Sequence, residues 1–476
     1  MKRLSGWDAT FVYGESPNVP VHTMKIAVVD TTAFDGEFTF DMFQRVVQRR
    51  LPALEPLRYQ LINIPLKLHH PMWLDNCEVD LDYHVRRARL PSPGGRRQLD
   101  DLIAEIATTP LDLRRPPWEV YFVEGMPDRK FALVAKVHHS LADGGASANL
   151  LARAMDSNAP IRDDRESCTA PSSIELLRAA GRDHLQQVKG LPTLIADTTR
   201  GIARLRRRSR ERGEHPELAR PFSPPPTFMN HRVSAGRRFA SATLPLADFK
   251  ETSKHLEIKL NDLVLSVAAG AFRELLLRHD GTADQPIIAS VPVNTDPSPD
   301  RISGNALGAL IVSLPVQLDD PLERIRVTGV AVDIAKESNQ LLGPELLGRW
   351  TTYLPPPVTP VMLRWLAGRE ARNALYNVSI SNVPGPRERA HIAGAPMSEF
   401  YSVGPLTPGC GINITVWSYV DQLNISVLTD DRTLQDAHEV TDAMIHAFVE
   451  TRHAAGLSGG ISQLNSAMPQ AKATLS

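Results

Sequence analysis

Apolar residues along the chain alternate between short unbroken runs and helical spacing. Residues 24–29 (MKIAVV) are almost continuously apolar, which predicts a buried strand. Residues 39–51 (TFDMFQRVVQRRL) and 98–109 (QLDDLIAEIATT) repeat apolar side chains at the period of an amphipathic helix. YFVEG and FALVAKV then read as two strands joined at MPDR, a short hairpin connection. The loop HHSLADGG follows, and a helix is predicted from about 144 to 156.

The pattern changes at residue 157. SNAPIRDDRESCTAPSS is polar and carries proline, the composition of a linker. It leads into Ile174, Leu177, Leu185, Val188, Leu191, Ile195, Ile202 and Leu205 at helical spacing, with Pro192 expected to kink the helix. An arginine run and a proline-rich connector complete a bridge over 157–230. Strands and helices resume over 231–455: ATLPL, a helix from Leu263, PIIASVPV, LGALIVSLPV, a helix opened by Asp320 and Pro321, VSISNVPGP, INITVWSY, LNISVLT and a last helix near 435–453. The tail 456–476 is rich in Ser, Gly and Ala and is expected to be disordered. The organisation is therefore α/β, with mixed halves at 1–156 and 231–455 joined by a long crossover.

Composition narrows the function by exclusion. A net charge of -1 and 6% aromatic residues supply neither the basic field nor the stacking surface of a nucleic-acid binder. The three cysteines, Cys77, Cys168 and Cys410, are far apart, and no zinc-site spacing is present, so neither a metal nor a disulfide framework is expected. MKRLSGWDATF has no apolar segment of signal-peptide type, and no apolar run reaches the roughly 18 residues of a membrane span. A cytoplasmic chain is expected, with peripheral attachment to a lipid surface left open.

The sharpest chemical signal is His138-His139-Ser140-Leu141-Ala142-Asp143-Gly144-Gly145, at the end of an apolar strand. An imidazole with an ordinary pKa near 6.5 can take a proton from an alcohol at neutral pH. No GxSxG elbow is present and no cysteine lies in a nucleophile motif, which points away from a covalent intermediate. Bland readings stand beside this one: Asp143 as a helix N-cap, and the histidine pair as surface polar residues.

HHxxxDG is the signature of the coenzyme-A-dependent acyltransferases with the chloramphenicol-acetyltransferase fold. The chain further resembles the bacterial wax ester synthase/diacylglycerol acyltransferase family along nearly its whole length. The resemblance rests on LSGWDATF (4–11), Pro20-Val21-His22, the stretch 70–95, Pro110-Leu111-Asp112 and Pro116-Pro117-Trp118-Glu119. It continues through Asn261-Asp262, SNVPGP (381–386), SVGPL (402–406) and GCGINIT (409–415). It implies two acetyltransferase-like domains with the catalytic loop between them and a channel open from opposite sides. His139 would then be the general base and His138 its support. Asp143 would be structural, paired to an arginine, and Gly144 would permit the tight turn into the helix. Asn261, Asp262, Ser381, Asn382 and Trp118 would lie near the substrate channel. Helix capping by Asn261, a proline-ordered turn at SNVPGP and core packing of Trp118 are the competing readings.

The implied reaction moves a long-chain acyl group from acyl-CoA, a co-substrate rather than a cofactor, to diacylglycerol, giving triacylglycerol. A long-chain alcohol as acceptor, giving a wax ester, is the alternative, and a lipid-surface binding protein with weak turnover is an alternative of another kind. Two departures from the family pattern stand out. PPW replaces PLW, and NTD (294–296) follows PIIASVPV where the family pattern has an arginine, so Asp296 puts activity level or acceptor choice in question. A last expectation concerns residues 195–212. Ile195, Ile202 and Leu205 share a face beside Arg200, Arg204, Arg206, Arg207, Arg208, Arg210 and Arg212, as in a helix that lies on anionic lipid or, equally, one that packs between domains.

Overall fold

The computed structural model describes residues 1–155, 171–213, 215–368 and 375–457. The polar linker with Cys168 and most of the tail lie outside the described residues.

Two six-stranded mixed sheets organise the molecule. The first runs, edge to edge, through His391–Ile392, Ala395–Val403, His22–Asp30, Lys130–His138, Trp118–Glu124 and Val85–Arg89. The second runs through Leu307–Leu314, Ile287–Asn294, Val378–Val383, Ile412–Tyr419, Gln422–Asp430 and Arg237–Pro245. The apolar runs of the sequence become the central strands because both faces are covered, so nothing selects for alternation. MKIAVV lies within His22–Asp30, antiparallel to Lys130–His138 with His22 opposite His138.

One exchange knits the halves together. Ala395–Val403, a segment of the second half of the chain, pairs antiparallel with His22–Asp30 and so completes the first sheet. Helix Arg96–Thr108 packs against strand Arg237–Pro245 of the second sheet, sharing a buried apolar cluster with Ile26, Val134, Phe239 and Tyr401. At that junction Arg96 is ion-paired to Glu399 and Asp100 to His438, all buried. Breaking such pairs costs several kcal/mol, about 3–5, because a lone charge is left in the interior.

Local sequence explains most helix starts. Asp320 caps Pro321–Leu342 by accepting from Leu322 and Glu323 N–H, with Pro321 at the first position, where no donor is needed. Ser172 and Glu175 form a capping box for Ser173–Arg212. That crossover helix runs as one 40-residue element through Pro192, which does not end it. Its buried contacts are not at the positions that the periodicity suggested. Leu176, Ala180, Leu194 and Gly201 are buried, while Ile174, Leu177, Leu185, Val188, Ile195 and Ile202 are exposed. Gly201 explains the offset: a Cβ there would stand 2.8 Å from the Leu342 carbonyl, so the helix docks through its smallest residue.

Candidate active site

The strand Lys130–His138 delivers both histidines to the junction of the sheets. His138 N–H donates to the Pro117 carbonyl at 2.9 Å, and His139 N–H to the Val21 carbonyl at 3.0 Å. Beyond them the chain bridges to the second half: Gly304 N–H donates to the Leu141 carbonyl, and Asp143 N–H to the Gly304 carbonyl. The loop is thus held from both halves by backbone alone.

The side chains then divide the labour. Asn305 has one oxygen acceptor and two N–H donors, and all are assigned. Its Nδ2 donates to Asp8 Oδ1 and to the His139 carbonyl, each at 2.7 Å, so its Oδ1 faces His139 Nδ1 at 3.0 Å. His139 Nδ1 therefore carries the proton, and Nε2 presents a lone pair. Burial holds the His139 pKa below its ordinary value, so the imidazole is neutral at pH 7. The Phe11 ring stacks on it at 4.2 Å. Burial also pushes Asp8 up, to about 6.

His138 is sealed. Its Nδ1 accepts from the Ser140 N–H at 3.2 Å and faces the Ser140 hydroxyl at 2.6 Å, leaving the proton on Nε2. That Nε2 is buried without a hydrogen-bond partner, with Glu15 Oε2 3.8 Å away. Burial pulls His138 down to about 3 and pushes Glu15 up to about 7. Nearby, Lys25 donates to Ser402 Oγ at 2.6 Å and is pulled down to about 8 by burial.

Asp143 is saturated. Its carboxylate accepts from Ala146 N–H as a helix cap, from Ala306 N–H, and from Arg301 through both terminal nitrogens at 2.9 and 3.0 Å. An arginine does reach this region, Arg301. It lies seven positions after Asn294, and its NH2 donates to Asn294 Oδ1 at 3.1 Å. Asp296 stays at the rim, with Oδ2 3.6 Å from Arg301 Nε.

The remaining residues singled out by sequence fall into two groups. Asn382 Nδ2 donates to Asn261 Oδ1 at 3.3 Å, joining two of the motifs. Asn261 is not the N-cap of its helix, since Lys259 holds that position, and Asp262 is buried with Lys336 3.9 Å from its Oδ1. Ser381 pairs in register with Thr415 on the same strand as Asn382. Trp118 pairs with Val137 beside the histidines, but its indole donates to the Leu57 carbonyl and its ring stacks on His84, which makes it a core aromatic. Gly144 differs from expectation too. It is absent from the positive-φ glycines, and a Cβ there would meet Val383 at 3.4 Å, an ordinary contact. Gly145 carries the steric constraint, because its Cβ would stand 2.7 Å from Asn294 Nδ2. Sequence reasoning missed Asp8, Phe11, Glu15, Asn305 and Arg301; the first two lay inside the quoted LSGWDATF, whereas the others carried no visible signal.

Among the described residues no group of His, Cys, Asp and Glu could hold a metal ion, and no helix is long and apolar enough to cross a membrane.

Comparison with known proteins gives the same direction. Residues 4–264 match the wax ester synthase/diacylglycerol acyltransferase catalytic domain, and residues 303–452 match the C-terminal domain of that family. A Mycobacterium tuberculosis protein named as a candidate diacylglycerol O-acyltransferase is 54% identical over 472 residues, covering 99% of this chain and 100% of its own. The wax ester synthase/diacylglycerol acyltransferase of Marinobacter aquaeolei has a similar structure, with a TM-score of 0.67 at 24% identity over 96% of this chain and 100% of its own. The first condensation domain of the calcium-dependent antibiotic synthetase is similar in fold, with a TM-score of 0.58 at 15% identity over 97% and 98% of the two chains.

Proposed function

The chain belongs to the wax ester synthase/diacylglycerol acyltransferase family, and from that premise we propose that it moves a long-chain acyl group from acyl-CoA to diacylglycerol, with His139 as the base. The observation that carries the reading is the Asn305 contact, which leaves His139 Nε2 unprotonated in a neutral imidazole. Nε2 takes the proton of the acceptor hydroxyl as its oxygen attacks the thioester carbonyl. The C–S bond breaks, and the imidazolium returns the proton to the departing thiolate, giving triacylglycerol and CoA. His138 supports this step by holding the turn, its ring fixed between Ser140 and Glu15.

A ternary complex rather than an acyl-enzyme is supported by the state of the nucleophiles. The Ser140 hydroxyl is buried against His138, Cys77 is buried, and burial pushes Cys410 up to about 11.

Contact with a lipid surface is supported by a cavity of about 200 Å3 lined by Val12, Tyr13, Ile64, Pro71 and Pro360, with Glu15 on its wall. Leu66, 84% exposed, and the exposed Val361 and Met362 are chain neighbours of the lining residues Lys67 and Pro360. A diacylglycerol could leave its surface here without crossing water. The arginine-rich end of the crossover helix contributes less than its composition suggests, since Arg208 and Arg212 are paired to Glu337. Arg206 and Arg210 remain for anionic headgroups, at about 1 kcal/mol each.

The test is purified protein with radiolabelled acyl-CoA and either diacylglycerol or hexadecanol, the products separated by chromatography. Triacylglycerol is the expected major product. A wax ester alone would move the assignment to the alcohol acceptor, and no ester from either would leave a lipid-binding protein.

A further inference from the structure

A cleft of about 690 Å3 lies between the crossover helix and the second half. The function above does not use it. Its walls carry Arg200, Arg204, Lys336 and Arg349 against the carboxylates of Asp197 and Glu345, a surplus of two positive charges (four minus two). Asp197 does not divide its charge evenly among them, because it bonds both Arg200 and Arg349 and leaves Arg204 and Lys336 outside that pair. Among the described residues Lys336 is ion-paired to Asp262 alone, at 3.9 Å, and the Asp262 oxygen on that side is buried without a hydrogen-bond partner. That carboxylate is placed to aim the ammonium rather than to neutralise it at contact distance. The amides of Asn294, Asn339 and Gln340 add neutral donors, and Val293, Leu310, Leu342 and Leu346 supply an apolar part of the wall.

The cationic side of this cleft suits a polar polyanion. Cationic side chains and amide N–H groups recognise phosphate oxygens through charge-assisted hydrogen bonds. Its floor also connects to the base. Asn294 accepts from Arg301, Arg301 chelates Asp143, and Asp143 lies four positions after His139. Asn294 additionally abuts Gly145, where any side chain would collide with its amide.

We propose that this cleft binds the phosphates of the acyl-CoA donor, so that the thioester arm extends from it toward His139. The proposal rests on the acyl-transfer reading for the identity of the phosphate source, since a phospholipid headgroup carries the same chemistry. The cavity near Glu15 is then left to the acceptor, and the two substrates approach His139 from different faces.

The experiment is calorimetric titration of the full chain with CoA, dephospho-CoA, inorganic phosphate and vesicles containing phosphatidylglycerol. The variants are Arg204→Gln/Lys336→Gln and, as a control of equal charge change on another helix, Lys250→Gln/Lys254→Gln. The double variant in the cleft should weaken CoA binding at least about tenfold, and the control should not. Dephospho-CoA should bind the unmodified protein more weakly than CoA. Asn339→Asp, which places a carboxylate in the cleft, should weaken CoA in the same direction should the double variant fail to fold. Unchanged CoA affinity in the folded cleft variants overturns the assignment, as does a loss of vesicle binding with CoA binding intact. CoA binding that responds as expected in a protein without acyl transfer supports the cleft and rejects the acyl-transfer reading, so the two failures are separable.

Discussion

The two ends of the turn from His138 to Gly145 are built on opposite principles. At the Asp143 end every oxygen is used, by two backbone N–H groups and the fork of Arg301. At the histidine end valences are left open: among the described residues His139 is held through Nδ1 and not through Nε2, and His138 Nε2 is buried facing Glu15 at 3.8 Å. A fully satisfied carboxylate contributes rigidity and has nothing left with which to react. An imidazole tethered through one nitrogen is positioned and still has its other nitrogen free. The difference teaches that membership of one short motif does not imply one role.

The comparison breaks most decisively at His139. His139→Ala should lower kcat/KM for acyl transfer by about 10²–10⁴-fold, the usual worth of a general base, with little change in thermal stability. A variant that turned over at the wild-type rate would falsify the assignment of the base. At the other end, Arg301→Leu should act on stability. It strands the Asp143 carboxylate, which is fully buried, and should cost about 3–5 kcal/mol in denaturant unfolding. Normal unfolding with a selective loss of turnover would place Arg301 in the chemistry instead.

Asn305→Ala tests the link between the ends, because this residue joins His139 to Asp8 across the halves. Without it either ring nitrogen of His139 can carry the proton, and roughly a tenfold fall in kcat with a smaller change in KM is expected. A change confined to KM would make Asn305 a substrate contact and not a positioning residue.

How much of this was legible depends on whether the cause is local. The helix opened by Asp320 and Pro321 was readable because a cap is a matter of three consecutive residues. The strand before His138 was readable because its apolar run is broken only at Lys136. The docking face of the crossover helix was not, since periodicity reports apolar positions and the contact is made by Gly201, which has no side chain to count. Arg301 and Asn305 were invisible for another reason. They reach the site from 158 and 166 residues away in sequence, and nothing in RISGN (301–305) marks them. The NTD segment carries no arginine of its own, yet Arg301, seven positions on from Asn294, bonds to it.

The smallest effect expected is at Glu15, and it separates the histidines by pH. Burial has moved the two partners in opposite senses, Glu15 up to about 7 and His138 down to about 3, so His138 is neutral at every pH where the enzyme is assayed. His139, also held below its ordinary value, is deprotonated and competent above about 6.5. Near pH 7 the group beside His138 that changes charge is Glu15, whose carboxylate forms as pH rises, while Asp8 at about 6 and Lys25 at about 8 titrate at the edges of the window. A negative charge behind the His138 N–H favours positive charge on the paired imidazoles, which strengthens His139 as a base while leaving it neutral. The rate should accordingly rise roughly two- to fivefold through pH 7 in the unmodified protein. Glu15→Gln keeps the shape of the protonated acid and cannot ionise, so its profile over the same range should be flat at the lower level. The sign for stability is independent of this: a carboxyl with a raised folded pKa stabilises the fold below about 4.5 and loses that contribution as pH rises through 7. Glu15→Gln should then unfold less readily than the unmodified protein at pH 8 and show less difference at pH 5. An inflection near pH 7 that persists in Glu15→Gln would assign it to another group, and the sealed histidine would be left with no titrating neighbour to tune it.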